Sequence, residues 1–260
     1  MDAGKTADDV AQTLMVSSTK ISRLETGARG VSLRDVRDLC DVYGVSAEER
    51  EHLMSLARQS REDSWWQRYD LPHSTYVGLE SAATSISDFK SDVVPGLLQT
   101  DEYARAVLEA TMPDPNDERL AQIVESRRAR QRVLTDDTPV KLWAVIDEAA
   151  VRRIVGSPDT MREQLQALIE RAAMPNVDLQ LLPFSVGAHA AMQSTFTILH
   201  FDEAAPDVVY VEGLLGNHYL EAKADILRYR RVFDQLRATA LGPKDSVAQF
   251  AAIAKTFVDQ

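Results

Sequence analysis

Residues 6–27, TADDVAQTLMVSSTKISRLETG, carry two short helical patterns around a tight turn. The first pattern, residues 6–14, opens with Thr6-x-x-Asp9, a capping pair in which each residue satisfies a backbone N–H of the other. Val10, Ala11 and Leu14 then fall on one face. A small Ala11 lets a second helix cross closely. Ser17 is a good N-cap for a second helix over residues 18–26, and Gly27 is the natural stop. In that helix Ile21 and Leu24 point inward, while Ser18, Thr19, Lys20, Ser22 and Arg23 point out. Lys20 sits in the first turn, where the helix dipole disfavours a cation, and an approaching phosphate would give it a partner. Short hydroxyls followed by Arg23 about a turn later can reach base edges and phosphate oxygens. An ordinary helical hairpin with a polar outer face has the same pattern.

Outward from this stretch the chain stays helical for a while. Ser32-x-x-Asp35 caps a helix that buries Leu33, Val36, Leu39, Cys40 and Tyr43 and stops at Gly44. Ser46-x-x-Glu49 opens another, running to residue 62, with Leu53, Met54, Leu56 and Ala57 inward. Residues 1–62 therefore read as an all-α helix-turn-helix domain. Residues 63–73, with adjacent Trp65 and Trp66, read as a hinge whose tryptophans plug the edge of the next core. Residues 74–260 alternate helix and strand patterns. A helix from residue 74 carries Tyr76, Leu79, Ala82, Ala83 and Ile86, and residues 93–100 form an extended turn in which Thr100 caps the helix that follows. A helix spans 117–134. Strands are expected at 140–146, 177–182, 195–201 and 208–211, the last two joined as a hairpin. Ser157-Pro158 is a strong helix start, and helices follow from residues 222 and 246. The fold class is α+β: an all-α N-terminal bundle and a mixed α/β C-terminal domain.

Composition bounds the function. With 260 residues, 45% hydrophobic and 27% charged, the chain is comfortable for two soluble domains. It has no apolar run of membrane-spanning length and no signal-peptide core, so a cytoplasmic location is expected. The single cysteine, Cys40, excludes an internal disulfide and reads as a buried thiol. Net charge is −11, and residues 1–60 hold eight Lys and Arg against ten Asp and Glu. Bulk attraction to DNA is therefore weak. Only Lys20, Arg23 and Arg29 cluster, so such a module needs a second copy and a two-fold-symmetric site.

V-S-S-T-K-I-S-R-L-E-T-G closely resembles the helix-turn-helix of the phage-repressor-type (XRE-like) regulators. The resemblance implies base contacts from Ser18, Thr19 and Arg23, and phosphate contacts from Ser17, Lys20 and Ser22. Met15 stands where that family usually has glycine, which implies a remodelled turn. That family also carries a full helix ahead of the one starting at Thr6, where this sequence has five residues. The expectation is a native chain that starts upstream of Met1, or a trimmed one. Further on, W-W, L-E-x-x-A (Leu79, Glu80, Ala83) and V-P-G-L-L-Q-T-x-x-Y-A-R-A (residues 94–106) are similar to the C-terminal domain of the WhiJ-like regulators of actinobacteria. That likeness implies an antitoxin-like or developmental regulator with a small neighbour-encoded protein partner.

No catalytic motif appears: there is no His-Glu-x-x-His, no G-x-S-x-G and no phosphate-cradling glycine loop. His189, His200 and His218 with Glu212 and Glu221 match no metal spacing and read as structural. Arg127, Arg128, Arg130 and Arg132 read as a solvated helix face, with a phosphate or acidic-partner contact as the other readings. The loop 183–193, rich in small residues, is either a pocket wall or a plain crossover. The expectation is a non-enzymatic, cofactor-free, sequence-specific transcription regulator. It reads double-stranded DNA at a palindromic operator as a homodimer, and its C-terminal domain binds a small protein partner or a ligand. The rival is an antitoxin-like interaction module whose DNA binding is only autoregulatory or has decayed.

Overall fold

The computed structural model describes residues 4–25, 30–59, 74–112, 116–202, 205–213 and 216–257. The chain divides into two units, Met1–Arg68 and Tyr69–Gln260. The hinge expected at 63–73, with Trp65 and Trp66, lies outside the described residues, as do Thr26, Gly27 and Arg29.

In the first unit, helices α1 (Ala7–Leu14), α2 (Ser18–Glu25), α3 (Leu33–Tyr43) and α4 (Ala47–Gln59) follow one another with short connections. Their starts are the ones expected. Thr6 and Asp9 form the reciprocal box on α1, Ser32 and Asp35 the same on α3, and Ser46 Oγ accepts the Glu49 N–H at 3.2 Å on α4. α3 ends on Gly44 at φ 69°, where a side chain would be strained. The core is small: Val10, Ala11 and Ile21 are buried, and Leu14, Val16, Leu39, Val42 and Tyr43 pack around them. Leu33, Val36 and Leu53 are only half-buried, and Leu56, expected inside, is 44% exposed. Cys40 is buried, and that burial pushes its thiol pKa up.

The second unit is a six-stranded sheet in the order β3-β2-β1-β4-β5-β6. After α5 (Ser74–Ala82), β1 (Ser85–Lys90) runs parallel to β2 (Lys141–Asp147), and β2 to β3 (Val177–Leu182). α6 (Asp101–Thr111) and α7 (Asp117–Arg130) lie on the first crossover, and α8 (Glu148–Arg152) and α9 (Pro158–Arg171) on the second. The chain then passes to the other side of β1 and closes with an antiparallel meander, β4 (Phe196–His200), β5 (Val208–Gly213) and β6 (Gly216–Leu220). α10 (Lys223–Thr239) and α11 (Pro243–Lys255) complete it.

Both sheet faces are covered, as the twin hydrophobic clusters require. Ile86, Leu142, Ala144, Ile146, Leu179 and Leu199 meet Tyr103, Met161, Leu165 and Phe250 on one face. Phe89, Val145, Phe196, Ile198 and Val209 meet Ile226, Phe233 and Leu236 of α10 on the other. The outer edge of β3 is occupied at Leu181, whose N–H donates to Ser246 Oγ at 2.9 Å and whose carbonyl accepts Leu241 N–H at 2.9 Å. Among the described residues β6 pairs only with β5.

Two strands correct the expectation from sequence. Residues 85–90, with the Ile86 that the apolar pattern places on the helix starting at 74, form the central strand β1, and α5 ends at Ala82. β6 was not expected at all. The helix expected over 117–134 is α7 followed by a turn of 3-10 helix at Gln131–Leu134.

Candidate functional site

Two places gather polar side chains that the fold does not need for its core. The first is the outer face of α2. Ser17 opens the helix, its Oγ accepting Lys20 N–H at 3.2 Å, while Ile21 and Leu24 are buried beneath. Ser17, Ser18, Thr19, Ser22 and Arg23 are exposed. Among the described residues Arg23 has no partner, so its guanidinium is available to an external acceptor. Lys20 differs. Its ammonium is half-buried and bonds Asp35 Oδ1 at 2.6 Å, tying α2 to the first turn of α3. The carboxylate that offsets the unfavourable dipole at Lys20 thus comes from within the domain. Burial raises the Asp35 pKa, but hydrogen bonds from Lys20 and Ser32 outweigh it and leave the carboxyl at about 2. At the other end of α2, the Tyr43 hydroxyl donates to Glu25, and burial together with that carboxylate pushes the phenol up to about 12. The turn before α2 rests on Met15, at φ 52° and ψ 44° and 93% exposed.

The second place lies on one face of the sheet, at the carboxyl end of β1. There the chain leaves β1 toward the β2 side while β4 flanks the other, the kind of crevice where open sheets take ligands. Its wall is the turn 94–100. Apart from a 3-10 turn at Gly96–Leu98 this buried segment is irregular, so its backbone polar groups need partners, and its own Gln99 and side chains from other elements supply them. Val94 N–H donates to Tyr103 Oη at 3.2 Å, and Val94 O accepts Gln99 Nε2 at 2.7 Å. Leu97 O accepts Arg171 Nη1 at 2.6 Å, and Gln99 O accepts Gln131 Nε2 at 2.7 Å. Gln164 serves both Leu98 O and Thr100 N–H, at 2.7 and 2.8 Å. The V-P-G-L-L-Q-T motif is therefore a docked turn with a built-in set of partners.

Beside this turn is a cavity of about 270 Å³. Arg130 forms a two-point ion pair with buried Glu80, at 2.7 and 2.9 Å, and lies 5.3 Å from the centre of the Tyr76 ring. Gly96 also lines this side, where a Cβ would meet Arg130 Nη2 at 3.6 Å, an ordinary contact. Asp88 and Lys90, two residues apart on one face of β1, sit 3.7 Å from each other. Burial pushes the Asp88 carboxyl up, against the pull of Lys90 and of the Thr197 hydroxyl bonded to it at 2.8 Å. Arg127 points into the same cavity and donates to Gln99 Oε1. The expected solvated arginine face is thus corrected. Arg128 turns outward to Asp101 and Arg132 is exposed, but Arg127 and Arg130 lie over the core. Counting on from the buried Ile123 by four and seven residues, the core-facing period of the same helix, leads to both of them.

The histidines do not come together. Among the described residues no cluster of three or more His, Cys, Asp or Glu could hold a metal. His189 Nε2 lies 3.6 Å from Asp147 in a shallow cleft under the 183–193 loop. His200 bridges Ser87 Oγ, at 3.1 Å, and Asp207 Oδ2, at 2.6 Å. This Ser-His-Asp line has the order of a nucleophilic triad. Ser87, however, sits in the middle of a strand paired on both sides, so its neighbouring N–H groups belong to the ladders and cannot turn toward an oxyanion. Arg230 also binds Asp207, so the line ties β1, β4, the start of β5 and α10 together.

Comparison with known families completes the description. A family profile described as "Domain of unknown function (DUF5753)" matches residues 73–251, and one described as "Helix-turn-helix domain" matches residues 1–53. No curated protein and no solved structure matches the chain.

Proposed function

We propose, for a chain that belongs to the DUF5753 family and carries a helix-turn-helix domain ahead of it, the role of a sequence-specific DNA-binding transcription regulator. Its C-terminal unit binds an effector. The observation that carries the first half is the outer face of α2, where Ser18, Thr19 and Arg23 stand exposed above a buried Ile21 and Leu24. Two copies act on a palindromic operator, because a domain with so little positive charge gains too little from phosphates alone. The 94–100 turn and the cavity beside it favour a small ligand over a small protein as the effector. The C-terminal unit is read as a binding domain and not as an enzyme.

Arg23→Ala tests the reading. Affinity for the promoter of the protein's own gene should fall by about 1–3 kcal/mol per lost base contact, with the circular dichroism spectrum unchanged. An unaltered gel-shift affinity would sink the assignment of α2 as the reading helix.

A further inference from the structure

The cavity at the end of β1 has a charge pattern that narrows its ligand. Arg130 is consumed by Glu80, and Lys90 stands against Asp88. Arg127 is the exception. Among the described residues it pairs with no carboxylate, and its hydrogen bond goes to the neutral amide of Gln99. A guanidinium turned toward a cavity and bonded to an amide keeps donors free for a planar anionic group, which it can grip at two points. Burial, and then the nearby Arg130, brings its pKa down to about 10, so it stays charged at neutral pH. Carboxylates line the same space: Asp88, Asp92 and Glu212, the last acting on Arg127 through its charge. A purely anionic ligand would meet those carboxylates, and a purely cationic one would meet Arg127 and Arg130. Val94, Leu97, Val107 and Tyr210 give the same space an apolar and aromatic part. At about 270 Å³ the space falls just below the roughly 300–1,000 Å³ of sites for drug-sized ligands, which suits a compact metabolite.

We infer that this cavity binds a free amino acid or an amino-acid-like zwitterion, its carboxylate on Arg127, its ammonium toward Asp88, and its side chain against the apolar wall. This rests on the reading of the C-terminal unit as an effector-binding domain and names the effector's class. A binding function also accounts for a guanidinium that, among the described residues, has no carboxylate in direct contact, since sites kept for ligands are commonly less stable than they could be.

The test uses the full chain, with isothermal calorimetry and thermal unfolding against single proteinogenic L-amino acids at millimolar concentration. Sodium acetate serves as the anion-only probe and ethylamine as the cation-only probe. At least one amino acid should bind saturably and raise the unfolding temperature, and acetate and ethylamine should bind at least about tenfold more weakly. Arg127→Gln should weaken binding about ten- to a hundredfold, the worth of a charge-assisted hydrogen-bonded contact. The unliganded variant should unfold no earlier than the parent. Should Arg127→Gln fail to fold, Asp88→Asn, which keeps the Thr197 hydrogen bond, should show a similar weakening. Absence of saturable binding by every amino acid in the panel would overturn the inference. So would full affinity in a folded Arg127→Gln or, failing that, in Asp88→Asn, or acetate binding as tightly as the best amino acid. Gel shift on the same preparation separates the two readings: loss of DNA binding by the parent chain would sink the regulator and leave the pocket untouched.

Discussion

At Met15 the chain does what glycine does more easily. It is the one non-glycine residue with positive φ among those described, and a left-handed conformation costs an L-residue roughly 1–2 kcal/mol. Glycine there would recover that, less the roughly 0.4–1 kcal/mol of extra freedom it brings to the unfolded chain. Met15→Gly should therefore raise the stability of the first unit by up to about 1.6 kcal/mol, measurable by denaturant titration. Lys20 carries a second expectation. Because its ammonium is committed to Asp35, Asp35→Asn should release it, increase affinity for random DNA and steepen the salt dependence by up to about one unit, while lowering stability. The pair also sets an acid limit. The folded Asp35 pKa, about 2, lies below its ordinary 3.8, so its contribution is complete above the ordinary value and is lost as pH falls from there through 2. An acid titration of the parent should show this loss, and Asp35→Asn should lack it. The sequence could show that Lys20 needs a negative partner but not which one, since Asp35 is fifteen residues away.

Whether an element was legible depended on whether its pattern was local. Ser157-Pro158 and the run 177–182 gave α9 and β3 directly, because a cap with an N1 proline and a buried apolar run each identify their element unaided. β1 escaped because it carries polar groups on both faces, Ser85 and Ser87 on one, Asp88 and Lys90 on its neighbour's side, where a central strand is ordinarily apolar. Those polar residues face the cavity and the Ser87–His200 tie, so the strand hardest to read is the one that carries the candidate site. β6, GNHYL, is a short edge strand without alternation, and nothing local marks it. The 94–100 turn was legible as a motif, but its partners lie up to 74 residues away and no spacing rule reaches them. Gln164→Ala should orphan both Leu98 O and Thr100 N–H, at a cost of roughly 2–4 kcal/mol. Glu80→Gln should cost about 3–5 kcal/mol by leaving the Arg130 charge buried without its counter-ion. Chemical denaturation followed through the second unit's unfolding would measure both, and a loss under 1 kcal/mol in either would show that the turn or the pair is not holding the cavity wall.

On the scale of the molecule the two units differ in how much core each possesses. The first buries few side chains completely and leaves Leu33, Val36 and Leu53 half-covered, while the second encloses a sheet between two hydrophobic clusters. Local opening follows buried apolar contact. Amides in residues 36–43 should therefore exchange with solvent faster than those of α9, and bound operator DNA should narrow the gap by binding only the folded first unit. Protection in 36–43 equal to that in α9 without DNA would contradict this account. The sheet itself is lopsided. One rim is stoppered at Leu181 by Ser246 and Leu241, and at the other, among the described residues, β6 pairs with β5 alone. A ribbon that can be extended from both margins can propagate without limit, and exposed margins are where fibres begin. With the N–H and the carbonyl of Leu181 both taken, no further strand can pair there, and the sheet is closed to growth at that point of its β3 rim.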